Sequence, residues 1–537
     1  MTPTSPSSSA GTTRTTCRSK PRDGPPVPLR LEDAPCYKRA YMSILRVNFN
    51  SRPVPLLLLA LLGACGTREE DPPETDTEAP RITLTTPGDA SRVALARFQV
   101  VGTVEDDSGL AELSWQLNEG EPVALGTEGE ERRALDFELQ PRPGRNTLVV
   151  HARDTRGNEA KSSVSFTFGN QTGAGALHGG AVRDGVLYTW GRNNRGQLGL
   201  GSTTNSKSPV KVEGLTDVAA IAFAQNDSLA IRRDGSVWTW GDNASGQLGL
   251  AAPGASDTTM RLVPTRVPGI SDAVAAAVGY RHMLVLHRDG HVSAFGENGN
   301  GQLGDGTTTD RHFPVPISGL TDVVRVIGGS QHSAALRRDG TVWVWGNNGY
   351  GNLGLGTPDD EPHATPTRVP GLTGVVDLAN GRDHLLALHE DGTVSAWGLN
   401  ASGQLGDGQP GAEDQRDSPV QVQGLTEATA VFAQGTMSFA LRRDGTLWGW
   451  GENVNGQLGT GDTTRASVPT TPVLLRVEPP EPLTGLDDVS PGATHVIAHH
   501  RDGRLFAWGW SVGGSLGGGS DQLEQWAYPL PQQVVLP

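Results

Sequence analysis

An Asp-Gly pair recurs at steps of 50, 55, 50, 52, 53 and 58 residues through the second part of the chain. Extended apolar runs flank each pair, which is the pattern of a β-hairpin with a tight turn. One such unit cannot bury its own sheet, whereas a ring of units can. A period near 50 residues with strand signals therefore predicts the blades of a β-propeller. The pairs are Asp184-Gly185, Asp234-Gly235, Asp289-Gly290, Asp339-Gly340, Asp391-Gly392, Asp444-Gly445 and Asp502-Gly503.

An aromatic residue stands six positions after each of these aspartates: Trp190, Trp240, Phe295, Trp345, Trp397, Trp450 and Trp508. A Gly-Gln-Leu-Gly sequence or a variant follows, as in Gly301 to Gly304. This unit resembles the repeat of the regulator of chromosome condensation family, over about residues 171–537. The resemblance implies an all-β chain with a closed seven-bladed β-propeller. Because the first unit lacks a clear opening strand, we expect residues 533–536 to pair with the first blade and close the ring.

Residues 81–169 carry short, partly alternating apolar runs separated by turn signals, a pattern that predicts a small β-sandwich. The amino-acid sequence of these turns resembles that of bacterial immunoglobulin-like domains of surface proteins, which implies an immunoglobulin-like sandwich before the propeller. Acidic side chains in the turns either ligate Ca²⁺ through oxygen or bond their own backbone as turn formers, and we expect the second. These residues are Glu105, Asp106, Asp107 and Asp154.

The N-terminal segment has the features of an export signal. Residues 1–41 are rich in Ser, Thr, Pro and Arg, which favours disorder or a start assigned too early, with Met42 as the true start. Residues 42–64 join a basic flank to an apolar run that is too short to span a bilayer but suits a signal peptide. Leu62-Gly63-Ala64-Cys65 resembles the bacterial lipobox, which implies a lipid on the Cys65 thiol. The alternative is an ordinary signal peptide with an incidental cysteine.

This resemblance predicts a lipid-anchored protein of the bacterial cell envelope, at the outer membrane, without a transmembrane helix in the mature chain. Two or three acyl chains anchor a protein far more firmly than one. Residues 65–80 are acidic and contain proline, so they are expected to form an extended tether between the lipid and the sandwich.

Charge and residue types exclude several classes of function. Lys and Arg total 44 against 59 Asp and Glu, a net charge of −15, which disfavours binding to a phosphate backbone. The 3 cysteines include no spaced pair in the body of the chain, which excludes a disulfide scaffold and a zinc ribbon. Gly509 to Gly513 match the nucleophile-elbow pattern of serine hydrolases, but they overlie a turn of the repeat. We therefore predict no catalytic residue, no metal and no cofactor.

A histidine recurs at one position of the repeat: His178, His282, His332, His384 and His495. Asp227 and Met437 occupy this position in the other two units. A ring of histidines could bind metal, but ligands must converge to about 2.1 Å, and blades are spread around a wide ring. We interpret these residues as buried imidazoles bonded to backbone within each blade.

The two residues before this position vary between units while their surroundings are constant, as expected for a recognition surface on a fixed scaffold. Gly279-Tyr280-Arg281-His282 resembles loops of plant photoreceptors of the same family, which implies a place on the partner-binding face. Tyr and Arg are also the residue types that dominate interaction hot spots. The alternative is that these are ordinary solvated loop tips. The candidate binding residues are Gln225, Asn226, Tyr280, Arg281, Ser330, Gln331, Arg382 and Asp383.

Three functions follow as hypotheses. The first is a non-catalytic scaffold of the cell envelope that binds an unknown protein or surface polymer through its propeller. The second, implied by the family resemblance, is guanine-nucleotide exchange on a small GTPase. The third is an enzyme that acts on surface polymers, although the sequence contains no catalytic constellation that supports it. The first is expected because the lipobox would place the chain away from GTP and GTPases.

Overall fold

The computed structural model describes residues 76–89, 91–93, 95–409, 415–475, 479–519 and 526–537. These residues belong to a unit that extends from Glu74 to Pro537. The predictions for residues 1–64, for Cys65 and for the tether up to residue 75 lie outside the described residues. No helix in the described part of the chain is long and apolar enough to cross a membrane.

The first domain is a β-sandwich whose two sheets enclose one apolar core. Its sheets have the strand orders β1-β3-β6 and β2-β8-β7-β4-β5. The alternation predicted from sequence is clearest in β7, where Leu148, Val150 and Ala152 are buried. The strands are β1 (Arg81–Thr86), β2 (Ser91–Val93), β3 (Phe98–Glu105), β4 (Leu110–Leu117), β5 (Val123–Leu125), β6 (Arg132–Leu139), β7 (Gly144–Asp154) and β8 (Glu159–Phe168). Its immunoglobulin-like character stays a prediction.

The described residues from 172 to 534 form seven antiparallel sheets in chain order, which confirms the all-β propeller fold. Each sheet is one blade, and its first strand lies along a central channel. The first four blades are β9 (Thr172–Ala174), β10 (His178–Arg183), β11 (Val186–Gly191), β12 (Ser206–Lys211); β13 (Val218–Phe223), β14 (Asp227–Arg232), β15 (Val237–Gly241), β16 (Arg261–Arg266); β17 (Ala273–Val278), β18 (His282–His287), β19 (Val292–Gly296), β20 (Arg311–Pro316); and β21 (Val323–Gly328), β22 (His332–Arg337), β23 (Val342–Asn348), β24 (Asp359–Arg368).

The last three blades follow the same order, and the sixth has three described strands. A short 3-10 turn, Val512–Gly514, lies in the seventh. The strands are β25 (Val375–Asn380), β26 (His384–His389), β27 (Val394–Leu399), β28 (Gln415–Gln421); β29 (Ala428–Gln434), β30 (Met437–Arg442), β31 (Leu447–Gly451); and β32 (Leu486–Pro491), β33 (His495–His500), β34 (Leu505–Trp510), β35 (Ala527–Val534).

The repeated aromatic residue joins each blade to the one before it. Trp345 is completely buried, and its Nε1 donates to the carbonyl of Gln302 in the preceding blade at 2.9 Å. The apolar core therefore lies between blades, where Trp397 packs against Val324 and Leu336 of its neighbour. A single repeat therefore lacks part of its core, because the neighbouring repeat provides residues that cover its sheet.

The expected closure of the ring by the C-terminal residues is wrong. Strand β35 pairs with β34 of its own blade, and the short strand β9 is the inner strand of the first blade. The weak sequence signal before His178 reflects a strand of three residues, whose Thr172 is bound through its N–H and its hydroxyl by the Asp488 carboxylate. The last and first blades meet through a backbone bond from the N–H of Ala493 to Gly175 O at 3.2 Å and through Trp190 Nε1, which donates to the carbonyl of Ser515 at 3.0 Å. The C-terminal residues are bonded to the first blade through its Arg183 side chain, which donates to the carbonyls of Leu536 and Pro537.

The sandwich covers one end of the central channel. The N–H of Ala96 donates to the carbonyl of Val324 at 3.0 Å, near the start of an inner strand. Arg92 reaches into the channel, where its Nε lies 3.5 Å from Oδ1 of the buried Asp488 and its guanidinium lies over the ring of Phe432. Phe168, at the end of the sandwich, lines the same space. The channel is therefore closed by side chains of the sandwich at this end.

Candidate functional site

The loops between the first and second strands of the blades meet at the other end of the channel. Inner strands begin near the sandwich, as at Val323, and end at the loops, as at Gly328. A strand of six residues is about 20 Å long, which separates the two ends. Residues from all seven blades line a cavity of about 710 Å³ at this mouth. We call it the mouth cavity, and it adjoins the channel because Val278, Gly328 and Gln434 line both.

Backbone hydrogen bonds between neighbouring blades hold these loops in place. The N–H of Tyr280 donates to Gly329 O at 3.0 Å, and the N–H of Ser330 donates to Arg382 O at 2.9 Å. The N–H of Arg382 continues this belt to Gly435 O at 2.7 Å. The belt fixes the backbone of the mouth before any ligand arrives, so binding does not have to order these loops.

The repeated histidines lie directly beneath the loops and are completely buried. His282 Nε2 lies 2.9 Å from the hydroxyl of Ser333 in the next blade, and that hydroxyl donates to Gln302 O. His178 and His384 make the same contact with Ser228 and Ser438. The predicted bond to backbone within each blade is therefore wrong in these three cases, because a serine of the next blade provides the partner. The imidazoles point to separate serines and do not converge on one centre.

Burial lowers the pKa of these imidazoles because the interior disfavours their charged form. The pKa is about 3 for His282 and about 4 for His495. The histidines are therefore neutral at physiological pH and act as uncharged packing groups.

The residue three positions before each histidine is constrained by the imidazole ring. A Cβ on Gly279 would lie 2.1 Å from Cε1 of His282, closer than atoms can approach. Where the histidine is replaced by Asp227 or Met437, this position is Ala224 or Gln434. Packing therefore dictates both ends of the loop sequence and leaves the two residues between them free to vary.

Six of the eight predicted binding residues line the mouth cavity: Gln225, Tyr280, Ser330, Gln331, Arg382 and Asp383. The remaining two, Arg281 and Asn226, lie on the same loops outside the lining. The Arg281 guanidinium lies 5.7 Å from the centre of the Tyr280 ring, and Asn226 accepts a hydrogen bond from Gln197.

A fixed carboxylate lies at one side of the cavity. Asp383 is buried, accepts a hydrogen bond from the Ser330 hydroxyl and lies 3.1 Å from Nε of Arg382. The Arg382 side chain is 69% exposed, so its guanidinium still presents donors to the cavity. This arrangement offers charged and neutral hydrogen-bonding groups in one fixed geometry.

Sequence reasoning identified Ser330 and Gln331 of the fourth blade but missed a second contribution from the same blade. Its strands β23 and β24 are extended, so that Asn348 pairs with Asp359 near the rim. The extension brings Asn347, Tyr350 and Asp360 into the lining of the mouth cavity. Tyr350 is 48% exposed, and this exposed aromatic within a glycine-rich turn was the available signal.

A separate acidic cluster lies in the sandwich. Carboxylate oxygens of Asp76, Asp106 and Asp154 lie within 4.8 Å of one another, and their residue types could hold a cation. Asp106 accepts from the N–H and hydroxyl of Ser108, and Asp154 accepts from the N–H of Asn158. These are the bonds of turn formers, as the sequence predicts.

Comparisons with known proteins agree with the fold. The sequence is 34% identical over 161 residues to the ultraviolet-B receptor UVR8 of Arabidopsis thaliana, covering 29% of this chain and 34% of the receptor. It is 30% identical over 356 residues to the human E3 ubiquitin-protein ligase HERC2, covering 64% of this chain and 7% of that protein. The chain spans about a third or less of the length of these relatives.

Solved structures give the same fold. Yeast RCC1 (Prp20), in a crystal structure with Kap60 bound, matches with a TM-score of 0.56 at 21% identity, covering 66% of this chain and 84% of that one. Human WBSCR16 matches with a TM-score of 0.55 at 22% identity, covering 66% and 95%.

Family models match most of the chain. The RCC1-like domain matches residues 63–433, and the regulator of chromosome condensation (RCC1) repeat matches residues 444–498. The first match extends over more than half of the sequence. The chain therefore belongs to the RCC1-like domain family.

Proposed function

We propose that this protein is a non-catalytic scaffold of the bacterial cell envelope that binds a protein or a surface polymer in the mouth cavity. The observation that carries the proposal is a backbone belt, rigid across neighbouring blades, that presents different side chains from each blade around one cavity of about 710 Å³. Rigid surroundings with variable side chains are the design of a recognition surface.

The closed far end of the channel supports this assignment. Arg92, Ala96 and Phe168 of the sandwich occupy that end, which leaves the mouth as the accessible end. The position that resembles a hydrolase nucleophile, Ser511, is largely buried and precedes only a three-residue 3-10 turn. A nucleophile elbow requires an exposed hydroxyl between a strand and a helix. Ser511 lacks this setting, which supports a binding function over hydrolysis.

The envelope location rests on the lipobox-like sequence before Cys65. We expect labelled palmitate to enter the protein in expressing cells and the Cys65→Ala variant to contain none. Because Cys17 precedes both Met42 and the expected cleavage site, the informative control is not Cys17→Ala but Thr67→Ala, which lies beside Cys65 and should keep the label. Label retained in Cys65→Ala would refute lipid attachment at this residue.

Photo-crosslinking from the mouth tests the binding function. A photoreactive amino acid in place of Gln331, which is exposed in the cavity, should crosslink to an envelope component. The same group in place of Val263, 50% exposed on the outer strand β16, is the matched control. Equal crosslinking from both positions, or none from Gln331, would contradict the proposal.

Variants then define the contact. We expect Tyr280→Ala combined with Arg281→Ala to weaken binding of the crosslinked partner by more than about 2 kcal/mol, without a change in the melting temperature of this protein. Nucleotide exchange is the competing function that the family resemblance implies. Accelerated GDP release from a small GTPase would replace the scaffold proposal with that activity.

A further inference from the structure

The mouth cavity has the dimensions of a site for a compact ligand rather than for a flat protein surface. Its volume of about 710 Å³ lies within the range of about 300–1,000 Å³ that is typical of small-ligand sites. Stable protein interfaces instead bury about 800 Å² per partner over a broad patch. A short chain segment of a polymer, entering end-on or as a loop, fits this concave shape.

Two exposed tyrosines provide the apolar contact area of the cavity. Tyr280 is 42% exposed and Tyr350 is 48% exposed, and they belong to adjacent blades. The aliphatic lining among the described residues is limited to Ala176, Ala224, Val278 and Ala493. Aromatic rings without surrounding aliphatic residues are poorly suited to a protein hot spot, which requires a desolvated apolar core. Their flat faces are suited to the C–H face of a sugar ring, while each phenol hydroxyl keeps a polar contact.

The polar lining is suited to hydroxyl groups. Gln225, Gln331, Asn347 and Gln434 line the cavity, and an amide carries both donors and an acceptor, as a hydroxyl requires. The amide oxygens of Asn347 and Gln434 also accept from the N–H groups of Gly349 and Gly435, which orients these two side chains. The charged lining residues are Asp360, Arg382 and Asp383, a net charge of only −1, and Asp383 is already paired with Arg382. A phosphorylated or polyanionic ligand would require several unpaired cations.

We infer that the mouth cavity binds a neutral oligosaccharide segment of a surface polymer, stacked on Tyr280 and Tyr350. This inference rests on the proposed binding function and specifies its ligand class. The fixed amides and the Asp383 carboxylate would bond the sugar hydroxyls.

Titration calorimetry of the full chain with cellotriose, maltotriose and chitotriose tests the inference, with trigalacturonic acid as the charged comparator. We expect at least one neutral trisaccharide to bind with a Kd between about 1 μM and 1 mM. Tyr280→Ala and Tyr350→Ala should each weaken that binding about tenfold or more, whereas Tyr350→Phe should stay within about threefold because the ring face remains. Trp526→Ala is the control, since this exposed aromatic lies outside the cavity lining.

Three results would overturn the inference: no binding by any neutral trisaccharide at about 1 mM, preferential binding of the charged one, or equal loss in Trp526→Ala. The outcome for the general binding function is separate. Crosslinking of an envelope protein from Gln331, together with no sugar binding, would leave the scaffold proposal intact and remove only the oligosaccharide. Failure of both experiments would remove both.

Discussion

Replacing Arg92 with alanine should destabilise the protein more than replacing any other charged side chain on the surface of the sandwich. The Arg92 side chain is 10% exposed, and its partner Asp488 is 2% exposed. Removing one partner of a buried ion pair leaves an uncompensated charge, which costs about 3–5 kcal/mol. Asp488 keeps donors at Oδ2 from the N–H groups of Gln171 and Thr172, so we expect a value near the lower limit of that range.

Urea denaturation followed by tryptophan fluorescence measures this change. Trp115 reports on the sandwich, and the buried tryptophans of the blades report on the propeller. The control is Arg132→Ala, which removes an exposed ion pair with Glu105 on the same domain and should cost about 1 kcal/mol or less. The double variant Arg92→Met with Asp488→Asn should recover most of the stability, because both charges of the pair are removed and no unpaired charge stays buried.

The reasoning fails if Arg92→Ala is no more destabilising than Arg132→Ala. It also fails if the double variant is as unstable as Arg92→Ala. That result would attribute the loss of stability to altered packing around Phe432 and not to an unpaired charge.

The remaining predictions concern the repeated positions. Gly381→Ala should cost several kcal/mol in urea denaturation because the new Cβ would lie 2.0 Å from Cε1 of His384, whereas Gly299→Ala, which meets nothing within 4 Å, should be neutral or slightly stabilising. The free energy of unfolding should fall as pH is lowered from about 6.5 towards 3, because the unfolded chain binds protons that the buried imidazoles do not. The folded pKa is about 3 for His282 and about 4 for His495. His282→Gln should reduce that slope by up to about 1.4 kcal/mol per pH unit, and an unchanged slope would contradict it.

The positions that sequence could predict are those fixed within one repeat. Spacing alone places Trp345 in the blade core, because the contact joins residues at a constant offset between equivalent units. For the same reason, the variable residues between Gly279 and His282 could be assigned to one set of equivalent loops, and their binding role stays a prediction.

Contacts outside the repeat could not be predicted. The ion pair of Arg92 with Asp488 joins strand β2 of the sandwich to the last blade, and nothing in the sequence near either residue indicates the other. The extension of β24 gives the mouth Tyr350 and Asp360, but its sequence is an irregular insertion between repeat positions. Closure failed as a prediction because the strand signal of Thr172–Ala174 is weak, and its stability comes from Asp488 rather than from its own apolar residues.

The seven residues beneath the mouth loops lie where burial disfavours charge, and they do not share one side-chain chemistry. Burial lowers the pKa of His178 and His384 to about 3, so both are neutral. Burial raises the pKa of Asp227 well above its usual range, which favours its neutral form, and Met437 carries no charge at all. If the imidazoles served in proton transfer, the methionine at the equivalent position would interrupt the set, because its side chain has no ionisable group. A requirement to fill space without burying a charge accepts all three residue types, and these residues pack beneath the belt whose outward side chains line the mouth cavity.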